Sequence, residues 1–163
     1  MAKKKQIKTN AIRIVEQKKI PYQEHTYTFS ENDLGAKHVA EELNQNEAQI
    51  FKTLVAVGNK TGPVVAVIPS NQELDLKKIA KESGNKKVEM LHLKDLENLT
   101  GYIRGGCSPV GMKKLFPTYF DQSALNFATI MVSAGKRGVQ MELAPNDLAG
   151  LVRGKFVDLT LEK

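Results

Sequence analysis

The eleven residues Gly101-Tyr102-Ile103-Arg104-Gly105-Gly106-Cys107-Ser108-Pro109-Val110-Gly111 hold four of the chain's twelve glycines and one of its six prolines, so no regular element can run through them. Gly105 and Gly106 open backbone angles closed to other residues and let another molecule's atoms reach the main chain. Pro109 fixes its own φ and biases Ser108 towards extended geometry. The stretch reads either as a tight connection between strands or as a binding loop. Arg104 before it and Lys113-Lys114 after it favour the loop, because exposed N–H groups beside positive charge suit an anionic or carbonyl-bearing ligand.

The length of 163 residues suits one compact domain, which at this size buries about 70% of its unfolded-chain surface. The expected organisation is a basic flexible tail over residues 1–8 and a single domain over residues 9–163. With 41% hydrophobic and 26% charged residues, the composition is that of an ordinary soluble globular protein. A net charge of +6, mostly from lysine, favours a polyanion or phosphate-bearing partner. The lone Cys107 excludes an internal disulfide and any multi-thiolate metal site, and fits a reducing compartment, the cytoplasm by expectation. The basic N-terminal run has no apolar stretch after it, so it reads as neither secretory signal nor anchor, and no apolar run approaches a membrane span.

Taken in order, Thr9 or Asn10 caps a helix with Ala11, Ile14 and Val15 on its apolar side, closed by Ile20-Pro21. Residues 22–27 form a strand. Ser30, Asn32 and Asp33 offer caps for a second helix with Ala36, Val39, Ala40 and Leu43 at the spacing of one buried face. Strands follow over 51–57 and 63–68, the latter so apolar that both its faces must be buried. The Gly58-Asn59-Lys60-Thr61-Gly62 turn between them is no phosphate loop, since no Lys-Ser/Thr pair opens a helix after it. Asp75 caps a helix over 76–83 that stops at Gly84. A strand over 87–90 and a helical turn over 93–99 lead to the glycine loop. Beyond it come a strand over 118–121 and a hairpin of 128–133 with 139–143 across residues 134–138. A helix from Asn146 or Asp147 to Val152 and a strand over 155–160 complete the series. The count is about seven strands and four to five helices, an α+β chain built as a mixed sheet or irregular barrel flanked by helices.

Lys52 sits in a strand beside Phe51 and Leu54. It is either the solvent end of an edge strand or a lysine projecting into a pocket to hold a phosphate or aminoacyl carbonyl. His25, His38 and His92 lie on separate elements without metal-ligand spacing, so no metal or other cofactor is expected and the three read as structural. Ser108 and Ser133 lack a nucleophile elbow, and Cys107 between glycine and serine reads as a small packing residue.

Several stretches carry a family resemblance. They are Leu74-Asp75-Leu76-Lys77-Lys78-Ile79-Ala80-Lys81 with Lys86-Lys87-Val88-Glu89-Met90, then Thr100-Gly101-Tyr102 with the glycine loop and Pro117-Thr118. The last is Phe127-Ala128-Thr129-Ile130 with Val132-Ser133-Ala134-Gly135-Lys136-Arg137-Gly138. Together the chain resembles the bacterial YbaK/EbsC family over nearly its whole length. Such proteins are free-standing relatives of the editing domain of bacterial prolyl-tRNA synthetases, and close members are Cys-tRNA(Pro) deacylases.

The resemblance implies a second sieve for cysteine mischarged onto proline tRNA, because a pocket shaped for proline discriminates by only about 1–3 kcal/mol per methylene. It implies a cleft for the aminoacylated 3′ adenosine lined by Tyr27, Lys52, Gly105, Gly106 and Ser133, with Ser108, Gly111 and Gln140 also on the substrate. Lys52 is then the residue on which the chemistry depends. It further implies that the substrate's own thiol attacks its ester carbonyl, which agrees with the lack of a triad or metal motif. Mischarged tRNA is the expected partner, with prolyl-tRNA synthetase as a second. Two departures stand out: Gln140 replaces an aspartate of close relatives, losing a charge that could attract the α-ammonium, and Leu34 replaces an aromatic before Gly35. The family also contains alanine-directed deacylases and expression regulators. An Ala-tRNA(Pro) deacylase and a non-catalytic RNA-binding or regulatory protein of the EbsC type are therefore the alternatives.

Overall fold

Thr9 starts the first element by accepting a hydrogen bond from Ile12 N at 3.1 Å, and its own hydroxyl donates to the Ala134 carbonyl. One short side chain thus caps α1 (Asn10–Gln17) and fastens it to a distant strand. The buried stripe is Ala11, Ile12 and Val15, with Ile14 half-buried beside it, so the inward face is turned slightly from the one expected. The computed structural model describes residues 8–27 and 46–161. The helix expected over residues 36–43, its caps, and the Leu34-Gly35 departure lie outside these.

After β1 (Gln23–Thr26), β2 (Phe51–Gly58) and β3 (Gly62–Pro69) form a long antiparallel hairpin. Asn85 closes its turn. Its Oδ1 accepts from the N–H groups of Lys60 and Thr61 at 2.9 and 3.0 Å, and its Nδ2 donates to the hydroxyls of Thr61 and Ser83. The backbone donors that a phosphate loop would offer to a ligand are here consumed by an asparagine of the same chain, which settles the Gly-Asn-Lys-Thr-Gly stretch as structural.

Asp75 caps α2 (Leu76–Ser83) through Lys77 N and Lys78 N, and Gly84 ends it at φ +78°. Then come β4 (Val88–Met90), α3 (Leu96–Thr100), β5 (Thr118–Asp121), β6 (Ile130–Lys136), β7 (Val139–Leu143), α4 (Pro145–Val152) and β8 (Lys155–Val157). Three of these depart from expectation. Strand β6 runs on to Lys136, with a bulge between Ser133 and Lys136, so the hairpin turn is tighter than residues 134–138. Ala144 is the cap residue of α4 and Pro145 its first turn, a position whose missing N–H costs nothing. Strand β8 stops at Val157, and Thr160 makes only an isolated bridge to Leu74.

Among the described residues the strands form two sheets, in the orders β1-β7-β6 and β4-β2-β3-β5-β8. The larger is mixed, antiparallel at β4-β2-β3 and parallel at β3-β5-β8. Among the described residues eight strands and four α-helices make the α+β architecture that the sequence indicates. Strand alternation divides the core. Phe51, Val55, Val65, Val67 and Phe120 pack with Ile130, Val132, Met141 and Leu143 of the smaller sheet, while Ala56, Val64, Ala66 and Ile68 pack with Ile79 and Ala80 of α2. The apolar run of β3 is buried on both faces, as its composition requires.

Candidate active site

The registers of the smaller sheet place the site. His25 pairs with Gln140 and Gln140 with Ser133, so these three side chains stand in one row on one face. That face is opposite the one carrying Val132, Ala134 and Met141 into the core. Ile50 bridges Met131 in parallel, extending the same surface to the start of β2. Lys52, two residues beyond Ile50, therefore emerges on the face on which Ser133, two residues beyond Met131, stands. The candidate face thus draws on three stretches distant in sequence, β1, the start of β2 and the β6–β7 hairpin.

Lys52 is half-buried and has no hydrogen-bond or ion-pair partner among the described residues. Burial lowers its pKa from the ordinary lysine value, opposed only by the charge of the exposed Glu73. An ammonium held like this is poised to meet an anion. Gln140 is 7% exposed and its Oε1 is buried with no hydrogen-bond partner among the described residues, so a buried acceptor stands on this face with nothing there to accept from. Ser133 is also buried, its Oγ accepting from Gly135 N at 3.1 Å, which shapes the bulge leading into the turn. Half-buried Tyr27 is anchored by its N–H to the Gly138 carbonyl at 2.9 Å, just past the row.

The glycine loop packs against the end of this hairpin. A Cβ on Gly106 would lie 3.0 Å from Arg137 N and 3.2 Å from the Lys136 carbonyl carbon, so this glycine lets two backbones meet. Arg137 Nε donates to the Arg104 carbonyl at 2.7 Å, a second tie. Gly105 is exposed with φ +84°, the left-handed region that glycine enters freely. Gly106 thus packs on the hairpin turn that follows Ser133 and precedes Gln140. Two other loop residues are turned inward. Ser108 is fully buried with its Oγ accepting from Val110 N, and a Cβ on Gly111 would fall 2.7 Å from the Tyr102 hydroxyl, which itself donates to the Val110 carbonyl. The structure gives both a part in shaping the loop.

Cys107 is 8% exposed and burial pushes its thiol up to about 12, so it is not the thiolate a nucleophile requires. In the deacylation that the resemblance implies, Cys107→Ala should keep a rate within about twofold of the parent; loss of turnover in a folded variant, measured in the same assay, would make Cys107 a participant.

Sequence reasoning missed a chain of contacts beside the row. His25 Nε2 lies 2.7 Å from Glu142 Oε1, the Thr129 hydroxyl donates to Glu142 Oε2, and Gln49 Nε2 donates to the Thr129 carbonyl at 2.8 Å. The Thr129 hydroxyl, and after it His25, holds the Glu142 carboxyl below its ordinary pKa. Strand alternation was the available signal, since Glu142 follows Gln140 by two and shares its face. No group of three or more His, Cys, Asp or Glu is placed to hold a metal ion among the described residues. A groove lined by Asp121, Ser123, Asn126, Asp158 and Thr160 shares none of these residues, and its Asp121 carboxylate is occupied by Leu159 N and by Ser123.

The aminoacyl-tRNA editing domain model matches residues 31–151, and the chain belongs to that family. It is 65% identical, over the full length of both chains, to EbsC of Enterococcus faecalis, a protein named as a proposed Cys-tRNA(Pro)/Cys-tRNA(Cys) deacylase. Among solved structures it resembles one described as a proposed trans-editing enzyme for prolyl tRNA synthetase, with 24% identity, TM-score 0.81, and 96% of this chain and all of the other covered. A hypothetical protein gives 20% identity and TM-score 0.85 over 94% of this chain and all of the other. Both share the fold.

Proposed function

We propose that this chain is a trans-editing deacylase that releases cysteine from mischarged Cys-tRNA(Pro), with the substrate's own thiol as nucleophile. The observation that carries the reading is half-buried Lys52 on the same sheet face as Ser133 and the Gln140 acceptor, neither Lys52 nor Gln140 Oε1 having a partner among the described residues, in a site whose one thiol is buried and protonated. In this reading Lys52 holds the anionic end of the terminal nucleotide and fixes the ester, Gln140 Oε1 accepts from the α-ammonium, and Tyr27 borders the adenosine. Backbone at Gly105 and Gly106 faces the carbonyl oxygen as charge develops on it. The sulfur attacks the ester carbonyl carbon, the bond to the ribose oxygen breaks, and the thiol proton ends on that oxygen. Cysteine leaves as a four-membered thiolactone that water opens.

The protein would act in the cytoplasm on charged tRNA. The chain has no RNA-reading motif of its own, so choice among tRNAs would come from the prolyl-tRNA synthetase as a partner. Single-turnover release from Cys-tRNA(Pro), Cys-tRNA(Cys) and Ala-tRNA(Pro) by the purified protein tests the reading. Faster release of cysteine than of alanine is expected on the same tRNA. Preference for alanine would move the chain to the alanine-directed class, and no release from any of the three would leave a binding protein.

A further inference from the structure

We propose that Arg104, Lys113, Lys114, Lys136 and Arg137 form the surface that grips the phosphates of the tRNA acceptor arm, an inference that rests on the deacylase reading. The five come from two segments that the structure joins. Arg137 Nε binds the Arg104 carbonyl at 2.7 Å, Gly106 lies against the Lys136-Arg137 backbone, and the Lys113 stem would be 3.5 Å from a Cβ on Gly101. Arg104, Lys113, Lys114 and Lys136 are exposed, and none of the five has a carboxylate within ion-pair distance among the described residues. Other lysines are paired, Lys8 with Glu16, Lys78 with Asp158 and Lys87 with Glu89. The exposed Glu97 of α3 gives its backbone carbonyl to Gly101 N at the start of the loop.

Two arginines and three lysines left uncompensated at one edge repel one another and gain from an anion that spans them. The Arg137–Arg104 tie spends one N–H on a carbonyl and leaves the outer guanidinium N–H groups of Arg137 to take a phosphate in fork geometry. The surface lies on the loop and hairpin turn next to the face that carries Lys52, Ser133 and Gln140. A duplex held there delivers its 3′ end to the cleft by backbone contacts alone, independent of sequence.

The test compares the parent with Lys113→Ala/Lys114→Ala/Lys136→Ala and with a control, Lys60→Ala/Lys77→Ala/Lys86→Ala, which removes equal charge elsewhere. Binding of an uncharged acceptor-stem minihelix is followed by fluorescence anisotropy across a salt series. Deacylation is measured on Cys-tRNA(Pro) and on a cysteinyl-adenosine ester lacking the stem. The cluster variant should bind the minihelix at least about tenfold more weakly, with a log K against log salt slope shallower by about 2. Its KM on tRNA should rise while turnover of the short ester stays at the parent level, and the control should keep the parent's binding. Equal losses in both variants, or none in the cluster variant, overturn the proposal, as would loss of synthetase binding with minihelix affinity intact. Should the parent release cysteine from neither substrate, the deacylase reading fails, and the anisotropy series still decides the surface.

Discussion

Lys52→Ala is expected to lower single-turnover release of cysteine by about 10²–10³-fold, the usual cost of removing one positioned electrostatic group, without unfolding the protein. The two halves have one physical origin. Lys52 is half-buried, has no partner among the described residues, and has a pKa below its ordinary value because of that burial. The sign follows directly. A base whose folded pKa lies below its unfolded value makes the folded state bind fewer protons, so its cost to stability is fully present below the folded pKa and fades as pH rises through the unfolded one. At neutral pH the ammonium is a burden to folding, and its loss should not lower the melting temperature by more than a few degrees. Lys52→Met separates charge from packing, since it keeps an apolar stem of similar length. Both variants should show that loss of release and remain folded by circular dichroism. Near-parent turnover in folded Lys52→Ala would remove Lys52 from the chemistry, and loss of fold would return it to a structural role.

Gly106→Ala should cost activity by about 10- to 100-fold through position alone. The added Cβ meets Arg137 N at 3.0 Å and the Lys136 carbonyl carbon at 3.2 Å, and both are backbone atoms of a hairpin that cannot swing aside as a side chain would. The loop and the hairpin turn must then part by a few tenths of an ångström, which shifts Gly105 and Gly106 relative to the sheet. Gly62→Ala is the useful contrast, because a Cβ there meets nothing within 4 Å and its φ of +75° alone causes strain. Melting temperatures for the two variants, set beside their kcat values, should show activity kept at Gly62 despite its loss of stability, and activity lost at Gly106 beyond what any loss of stability explains. Full activity in Gly106→Ala would mean the loop is not a wall of the cleft.

Much of the fold was legible because local chemistry agreed with tertiary need. Asp75 and Gly84 bracket α2 as cap and stop, and the apolar run of β3 needs two covered faces and has them. The start of α4 was misread because Asn146 and Asp147 are good cap residues, while the structure uses Pro145 one position earlier. Lys52, Ser133 and Gln140 could be nominated from the resemblance. Their sharing of a face could not, since it depends on the Ile50–Met131 bridge between segments eighty residues apart. Glycine identity was equally silent on purpose. Gly106 admits a neighbouring backbone at the site and Gly111 admits the Tyr102 hydroxyl in the loop interior, and in sequence the two look alike.

The central claim, that the substrate's thiol is the nucleophile, is tested most directly by one pair of rates. Cys-tRNA(Pro) and Ser-tRNA(Pro) differ by a single atom, sulfur for oxygen, and a thiol is far more ionised than a hydroxyl near neutral pH. With enzyme in excess, release of cysteine should exceed release of serine by at least about a hundredfold. Equal rates would contradict the account and require a water positioned by the protein.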